Sequence, residues 1–218
     1  MLPNNKQGLL ISFEGVDGAG KSTHMARVQS HLEALGLACV HTREPGGTPV
    51  GEAIRTLVLH QPMDVNTELL LMYAARRQHL VETIQPALAR GAWVITDRFE
   101  DSSFAYQVSA AGANWQACEQ LSAWALNGFQ PHLTFLFDLP IEVSQARIQH
   151  RAGQSDKFEE KPTAYFQAVR TGFLRRAELN PQRICIINAH ADLETVGQAV
   201  QEQLEQFLST LNAQGTTP

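Results

Sequence analysis

Apolar and polar positions along this chain fall into two alternating patterns. Short, nearly continuous apolar runs such as Leu9-Leu10-Ile11-Ser12-Phe13 read as strands buried on both faces. They cover residues 9–14, 38–42, 92–96, 133–139 and 183–188. Between them, apolar residues recur at three- and four-residue spacing, the mark of a helix with one buried stripe. Residues 21–35 carry Met25, Val28, Leu32 and Leu35 on such a stripe, and Gly36 ends it. Helices are predicted over 50–59, 66–90, 141–150, 163–179 and 193–211, with two further segments in 101–127 broken near Gly112. The 66–90 helix is expected to bend near Pro86 and to be capped by Asn66 or Thr67. Residues 150–162, mostly polar, charged and weakly periodic, read as a mobile loop, and residues 212–218 as a frayed tail. Strands alternating with helices predict one α/β domain over 1–218, with a five-stranded parallel sheet and helices on both faces. In such a sheet ligands gather at the carboxyl ends of the strands.

Composition narrows the class. An apolar fraction of 44% suits a globular core, and no apolar run nears the roughly 18 residues that span a bilayer. The opening Met1-Leu2-Pro3-Asn4-Asn5-Lys6 lacks the layout of a signal peptide. Cys39, Cys118 and Cys185 are far apart in sequence and read as small hydrophobes, not as disulfide or metal partners. A cytoplasmic location is therefore expected. A net charge of −5 argues against a broad nucleic-acid surface but not against a local phosphate pocket. Thirteen arginines against four lysines fit such a pocket, because a guanidinium makes bidentate phosphate contacts.

The strongest chemical signal follows the first strand: Gly15-Val16-Asp17-Gly18-Ala19-Gly20-Lys21-Ser22-Thr23. It is a G-x-x-x-x-G-K-S/T loop between a strand and a helix, which is the context a phosphate-binding P-loop requires. Its backbone N–H groups and the helix N-terminus cradle phosphates, Lys21 reaches the β- and γ-phosphates, and Ser22 offers a hydroxyl to Mg²⁺. This says nucleoside triphosphate, with no word on the acceptor. Asp97-Arg98 ends a central strand close to the same place. Asp97 can hold Mg²⁺ through water or orient an attacking oxygen, and Arg98 can bridge donor and acceptor phosphates. On its own the dipeptide reads equally well as a strand-terminal ion pair.

Taken together, four motifs resemble the thymidylate kinase family. They are Phe13-Glu14-Gly15 with the P-loop; Arg43-Glu44-Pro45-Gly46-Gly47-Thr48; Tyr73-Ala74-Ala75-Arg76; and Asp97-Arg98-Phe99 with Ser102-Ser103-Phe104-Ala105-Tyr106-Gln107. The resemblance runs from about residue 8 to residue 200. It implies the P-loop nucleoside-monophosphate-kinase fold with a small lid, and transfer of the ATP γ-phosphate to dTMP with Mg²⁺, giving dTDP and ADP. It also implies a homodimer; the net charge and the absence of a spanning apolar run already argue against nucleic-acid and membrane partners.

By the same resemblance, Asp17 contacts the 3′-hydroxyl of the dTMP sugar and Arg76 donates to a thymine carbonyl. Arg76 could instead form a helix-surface ion pair with Glu68 or Glu82. Ser103, Tyr106 and Gln107 line base and sugar, although Tyr106 also suits ordinary core packing. Pro45 walls the pocket and Arg55 reaches the acceptor phosphate. Two features depart from the family pattern. Met72 stands where an aromatic ring often stacks on the base, and Lys157 stands in the lid where arginine is usual. Some relatives carry a catalytic arginine inside the P-loop, where this chain has Gly18. That implies the bacterial type, with lid cations Arg151 and Lys157 closing over the phosphates.

Overall fold

The computed structural model describes residues 7–149 and 161–213. Among them one parallel sheet has the order β2-β3-β1-β4-β5. Its strands are β1 (Leu10–Gly15), β2 (Cys39–Arg43), β3 (Trp93–Asp97), β4 (Leu133–Asp138) and β5 (Ile184–Asn188). The helices are α1 (Lys21–Ala34), α2 (Pro49–His60), α3 (Val65–His79), α4 (Gln85–Ala89), α5 (Glu100–Ser103), α6 (Trp115–Leu126), α7 (Ile141–Gln149), α8 (Thr163–Leu179) and α9 (Leu193–Ala213). Every residue of β1 is buried, as expected for the middle strand of a sheet covered on both faces. Its register sets Phe13 beside Asp97 on β3 and Gly15 beside Phe137 on β4. The loops that follow β1 and β3 therefore leave the sheet side by side.

Successive β1 side chains point to opposite faces and so feed separate cores. Leu9, Ile11 and Phe13 pack with Met25 and Val28 of α1, Val169 and Phe173 of α8, and Val200 and Leu204 of α9. Leu10 packs on the other face with Leu69 and Tyr73 of α3, Val94, Phe104 and Leu126. Helix α1 closes as its Gly36 predicts. Gly36 N–H reaches the Glu33 carbonyl at 2.9 Å and Leu37 N–H the Leu32 carbonyl at 3.1 Å, with Gly36 at φ 82°. Leu35 is the C-cap and stands exposed instead of extending the stripe.

Several local readings change. The cap of α3 is Asp64, whose Oδ2 accepts from Asn66 N–H at 2.9 Å and Thr67 N–H at 3.1 Å, so those two residues are donors in the first turn. The irregularity in the long helix precedes Pro86: a π-helical turn, Leu80–Ile84, separates α3 from α4. It contains Glu82, the residue whose carbonyl a proline four positions later would crowd. A second π-helical turn, Phe104–Ala110, follows α5, and the chain breaks at Gly112 as expected. Cys39 and Cys185 are half-buried, because β2 and β5 are the sheet's edge strands, whereas Cys118 is buried. Helix α9 takes in Asn212 and Ala213, and residues 214–218 lie outside the described part. Among the described residues no helix is long and apolar enough to cross a membrane.

One buried charge cluster ties α5 to α8 and the start of β5. Asp101 accepts from Arg176 Nε at 2.7 Å and from Arg183 Nη1 and Nη2 at 2.7 and 2.8 Å. Burial pushes the Asp101 carboxyl up, but the two guanidinium groups outweigh it and hold the group below its ordinary value. A depressed carboxyl stabilises the fold above its ordinary value, and that contribution is lost as pH falls through the folded value. Asp101→Asn leaves two buried guanidinium groups facing a neutral amide and should lower the unfolding free energy by about 3–5 kcal/mol. Urea denaturation at neutral pH measures that loss, and the gap between variant and wild type should narrow at acid pH.

Candidate active site

The P-loop leaves β1 through a backbone turn that needs glycine. Gly15 has φ 131°, and a Cβ there would stand 2.5 Å from the Phe137 carbonyl oxygen. At the apex Gly18 has φ 76°, and a Cβ would meet the Ser144 carbonyl of α7 at 2.9 Å. Val16 and Ala19 are buried and brace the loop from beneath. Gly20 leads into α1, whose first turn exposes Ser22 and Thr23. Lys21 is buried, and its Nζ donates to the Gly15 and Val16 carbonyls at 3.3 Å each. Burial, with the Arg98 charge added, lowers its affinity for a proton; Asp97 and Asp17 work the other way. A phosphate bound there would favour the charged ammonium and so offset the loss of hydration that burial imposes.

Asp97 and Arg98 come from the end of β3, against the same loop. Asp97 Oδ1 lies 3.8 Å from Lys21 Nζ and is buried without a hydrogen-bond partner. Arg98 Nη1 donates to the Gly15 carbonyl at 2.9 Å and to Ser102 Oγ at 3.1 Å. Its Nη2 donates to Asp17 Oδ1 at 2.9 Å and to the Tyr106 hydroxyl at 3.1 Å. The dipeptide is thus an ion pair with the P-loop, and Arg98 also stands over the Tyr106 ring, 5.0 Å from its centre. Arg98 has φ 69°, a left-handed backbone uncommon for a residue other than glycine. Three contacts hold it there. Its N–H reaches the Phe13 carbonyl at 2.9 Å, its carbonyl accepts from Thr96 Oγ1 at 2.9 Å, and the next N–H, of Phe99, reaches Glu14 Oε1 at 2.8 Å. Glu14 also accepts from Ser102 Oγ at 2.6 Å.

A second group lies beside this one. Arg76 is 1% exposed, and its guanidinium joins three segments: Nε to Glu44 Oε2 at 2.7 Å, Nη1 to Ser103 Oγ at 3.0 Å, and Nη2 to the Phe99 carbonyl at 2.9 Å. Neither Glu68 nor Glu82 is the carboxylate it pairs with. Glu68 instead accepts from Gln107 Nε2 at 2.9 Å, and Glu82 from Gln78 at 2.7 Å. Glu44 also meets His79 Nδ1 at 2.9 Å, and His79 Nε2 meets Thr42 Oγ1 at 2.7 Å. Sequence reasoning gave no role to Glu44, His79 or Glu14, although Glu14 and Glu44 sit inside two of the four motifs. Met72 is buried with Ile54, Val58 and Ala75 where α2 meets α3, and Tyr73 points into the other core. Pro45 is buried, and its carbonyl accepts from Arg55 Nη1 at 3.1 Å. Arg147 donates to the Gly18 and Ala189 carbonyls at 3.3 Å each, joining the P-loop apex to the turn after β5. Arg151 and Lys157 lie outside the described residues, as does most of the 150–162 loop.

The arrangement offers a P-loop of the phosphate-cradling type, two cations and a carboxylate beside it, and an adjoining buried cluster of fixed donors and acceptors. Comparison with known proteins gives the family. The family described as thymidylate kinase matches residues 13–200. A thymidylate kinase of Methylobacillus flagellatus is 50% identical over 201 residues, covering 92% of this chain and 98% of that protein. One of Cupriavidus pinatubonensis is 48% identical over 207 residues, covering 94% and 100%. The crystal structure of thymidylate kinase from Ehrlichia chaffeensis superposes with a TM-score of 0.74 at 32% identity, covering 91% of this chain and 99% of that one.

Burial, and after it the Asp101 charge, raises the Glu14 carboxyl from 4.5 to about 8, against the contacts with Ser102, Arg98 and Phe99. A carboxyl raised in the folded state adds stability that is complete below about 4.5 and is lost as pH climbs to about 8. Glu14→Gln removes that titration. Urea midpoints of the wild type should fall over this range, and those of the variant should fall less. An equal slope in both proteins would assign the titration to another group.

Proposed function

The chain belongs to the thymidylate kinase family and so phosphorylates dTMP to dTDP with ATP; we propose that Lys21, Asp97 and Arg98 carry the transfer while Arg76, Ser103 and Gln107 hold the base. The observation that carries this reading is the position of the Arg98 guanidinium. It touches the P-loop at Gly15 and Asp17 and the base-pocket segment at Ser102 and Tyr106. A cation in that place can lie between two bound phosphates and reduce their repulsion.

In this reading an oxygen of the dTMP phosphate attacks the γ-phosphorus in line, the bond from phosphorus to the β,γ-bridging oxygen breaks, and ADP leaves. Lys21 moves from the Gly15 and Val16 carbonyls to the β- and γ-phosphates. Little covalent chemistry is asked of the protein, so alignment and charge supply most of the rate. Asp17 passes from Arg98 to the sugar 3′-hydroxyl when the acceptor phosphate takes the guanidinium. Arg55 serves that phosphate, and Pro45 and Met72 wall the base. Position 18 has no room for a side chain, so further positive charge is assigned to the lid, at Arg151 and Lys157.

Kinases of this family use ATP, generally with Mg²⁺. The residues present suit that ion: Asp97 Oδ1 is buried without a hydrogen-bond partner, and Ser22 is exposed at the start of α1. Bound there, Mg²⁺ would neutralise charge on the β- and γ-phosphate oxygens. The reading carries a cytoplasmic location and a homodimer with it. Leu70 and Trp124 are 59% and 81% exposed on α3 and α6, and Arg77, seven residues on from Leu70, donates to the Ala125 carbonyl beside Trp124. Sedimentation should give a dimer for the wild type and a shift toward monomer for Trp124→Glu.

A coupled assay of ADP release with ATP and Mg²⁺ tests the reaction against dTMP, dUMP, dCMP, dGMP and thymidine. Turnover should be highest with dTMP, and Arg98→Ala should lower kcat by about a hundredfold or more. A different preferred acceptor would keep a kinase and overturn the base pocket. ATP binding with no turnover on any acceptor would point to a nucleotide switch.

A further inference from the structure

Helix α3 and the π-helical turn Phe104–Ala110, with Ser103 just before it, are joined at two points. Arg76 Nη1 donates to Ser103 Oγ at 3.0 Å, and eight residues earlier on α3 Glu68 Oε1 accepts from Gln107 Nε2 at 2.9 Å. Glu68, Met72 and Arg76 recur at four-residue spacing, so they share one face of α3, with Met72 between the two rungs. All three are buried, as is Gln107 at 2% exposure. The Arg76 rung has an obvious use in the reading above. The Glu68 rung has none so far.

A carboxamide has one donating and one accepting end, and an ionised carboxylate only accepts. Glu68 therefore fixes which end of Gln107 is left over. The NH₂ faces Glu68, and Oε1 remains, buried and without a hydrogen-bond partner. A buried acceptor in that condition is costly until something donates to it. Thymine and uracil carry a donor, N3–H, on the edge next to the carbonyl assigned to Arg76. Cytosine has a bare acceptor nitrogen at the same place. We propose that Glu68 is a positioning residue for base specificity: it holds the Gln107 amide with its oxygen available to the base, so that the pocket takes a pyrimidine with N3–H and rejects one without it. The inference rests on dTMP being the acceptor and adds what makes the pocket selective.

The test is Glu68→Gln. The new carboxamide can donate as well as accept, so Gln107 is released to turn and present its NH₂ to the base. The ratio of kcat/KM for dTMP over dCMP should fall about tenfold. The change should come mostly through a higher KM for dTMP, with kcat for dTMP kept within a few-fold. If Glu68 served only to hold α3 in place, both substrates would lose alike and the ratio would stay. Gln107→Leu provides the second arm. It should lower the same ratio by itself, and adding Glu68→Gln to it should leave the ratio where Gln107→Leu put it, because the residue through which Glu68 acts is gone. An unchanged ratio in a folded Glu68→Gln protein overturns the inference alone, as does a full additional effect in the double variant. Absence of dTMP turnover by the wild type would overturn the reaction itself and this inference with it.

Discussion

A carboxyl group at the end of the central strand fixes the geometry of everything around it. Glu14 is fully buried one residue before the P-loop glycine, and its two oxygens take the Phe99 N–H and the Ser102 hydroxyl. These contacts come from the chain that follows β3, so Glu14 joins the two loops whose relative position the chemistry needs. The sheet register sets Phe13 beside Asp97, and Glu14 carries that alignment a few residues past the last strand pairing. Without it the left-handed backbone at Arg98 would lose one of its three restraints, leaving the Phe13 carbonyl and the Thr96 hydroxyl to hold it. The raised Glu14 carboxyl is what a low-dielectric position beside Asp101 requires.

Farther along the same edge a chain of buried polar contacts runs from Thr42 through His79 and Glu44 to Arg76, then to Ser103 and the Phe99 carbonyl. It draws on residues in and after β2, within α3 and after β3. Each link satisfies a polar group that would otherwise be stranded, and removing one leaves its neighbours exposed to that cost. The side chains proposed to hold the base are therefore fixed by one another, while Ser22 and Thr23 stand exposed at the start of α1.

The parts legible in the sequence are those fixed by short-range rules. The P-loop is a run of backbone conformations encoded within nine residues, and the strand and helix blocks follow from hydrophobic periodicity. The C-terminus of α1 followed from Gly36, and the break before α6 from Gly112. The parts that were not legible depend on which distant segments meet. Nothing local told that Arg76 would pair with Glu44 rather than with Glu68 or Glu82, because both alternatives lie within eight residues of it on the chain while Glu44 arrives from another loop. The π-helical turns were also hidden, since the residues in them have no composition that separates them from an α-helix. Asp64 does not stand out as a cap in the sequence because the apolar pattern of α3 starts after it, yet its carboxylate accepts from the first turn. At the proposed base pocket, the family resemblance implies which residues make contact, and packing shows which of their atoms are already committed.

The apex of the P-loop bears on how this chain can change. A left-handed φ at Gly18 and the Ser144 carbonyl 2.9 Å from where a Cβ would stand close that position twice over, by backbone preference and by space. Relaxing one barrier leaves the other, so no single substitution there is neutral, and drift toward a cationic side chain would require α7 to move first. At position 18 positive charge cannot be added without that shift, so a change in charge around the phosphates has to enter elsewhere. The most ordinary contact in the site, a helix backbone resting on a glycine, thereby decides which evolutionary routes to a different catalytic apparatus are open to it.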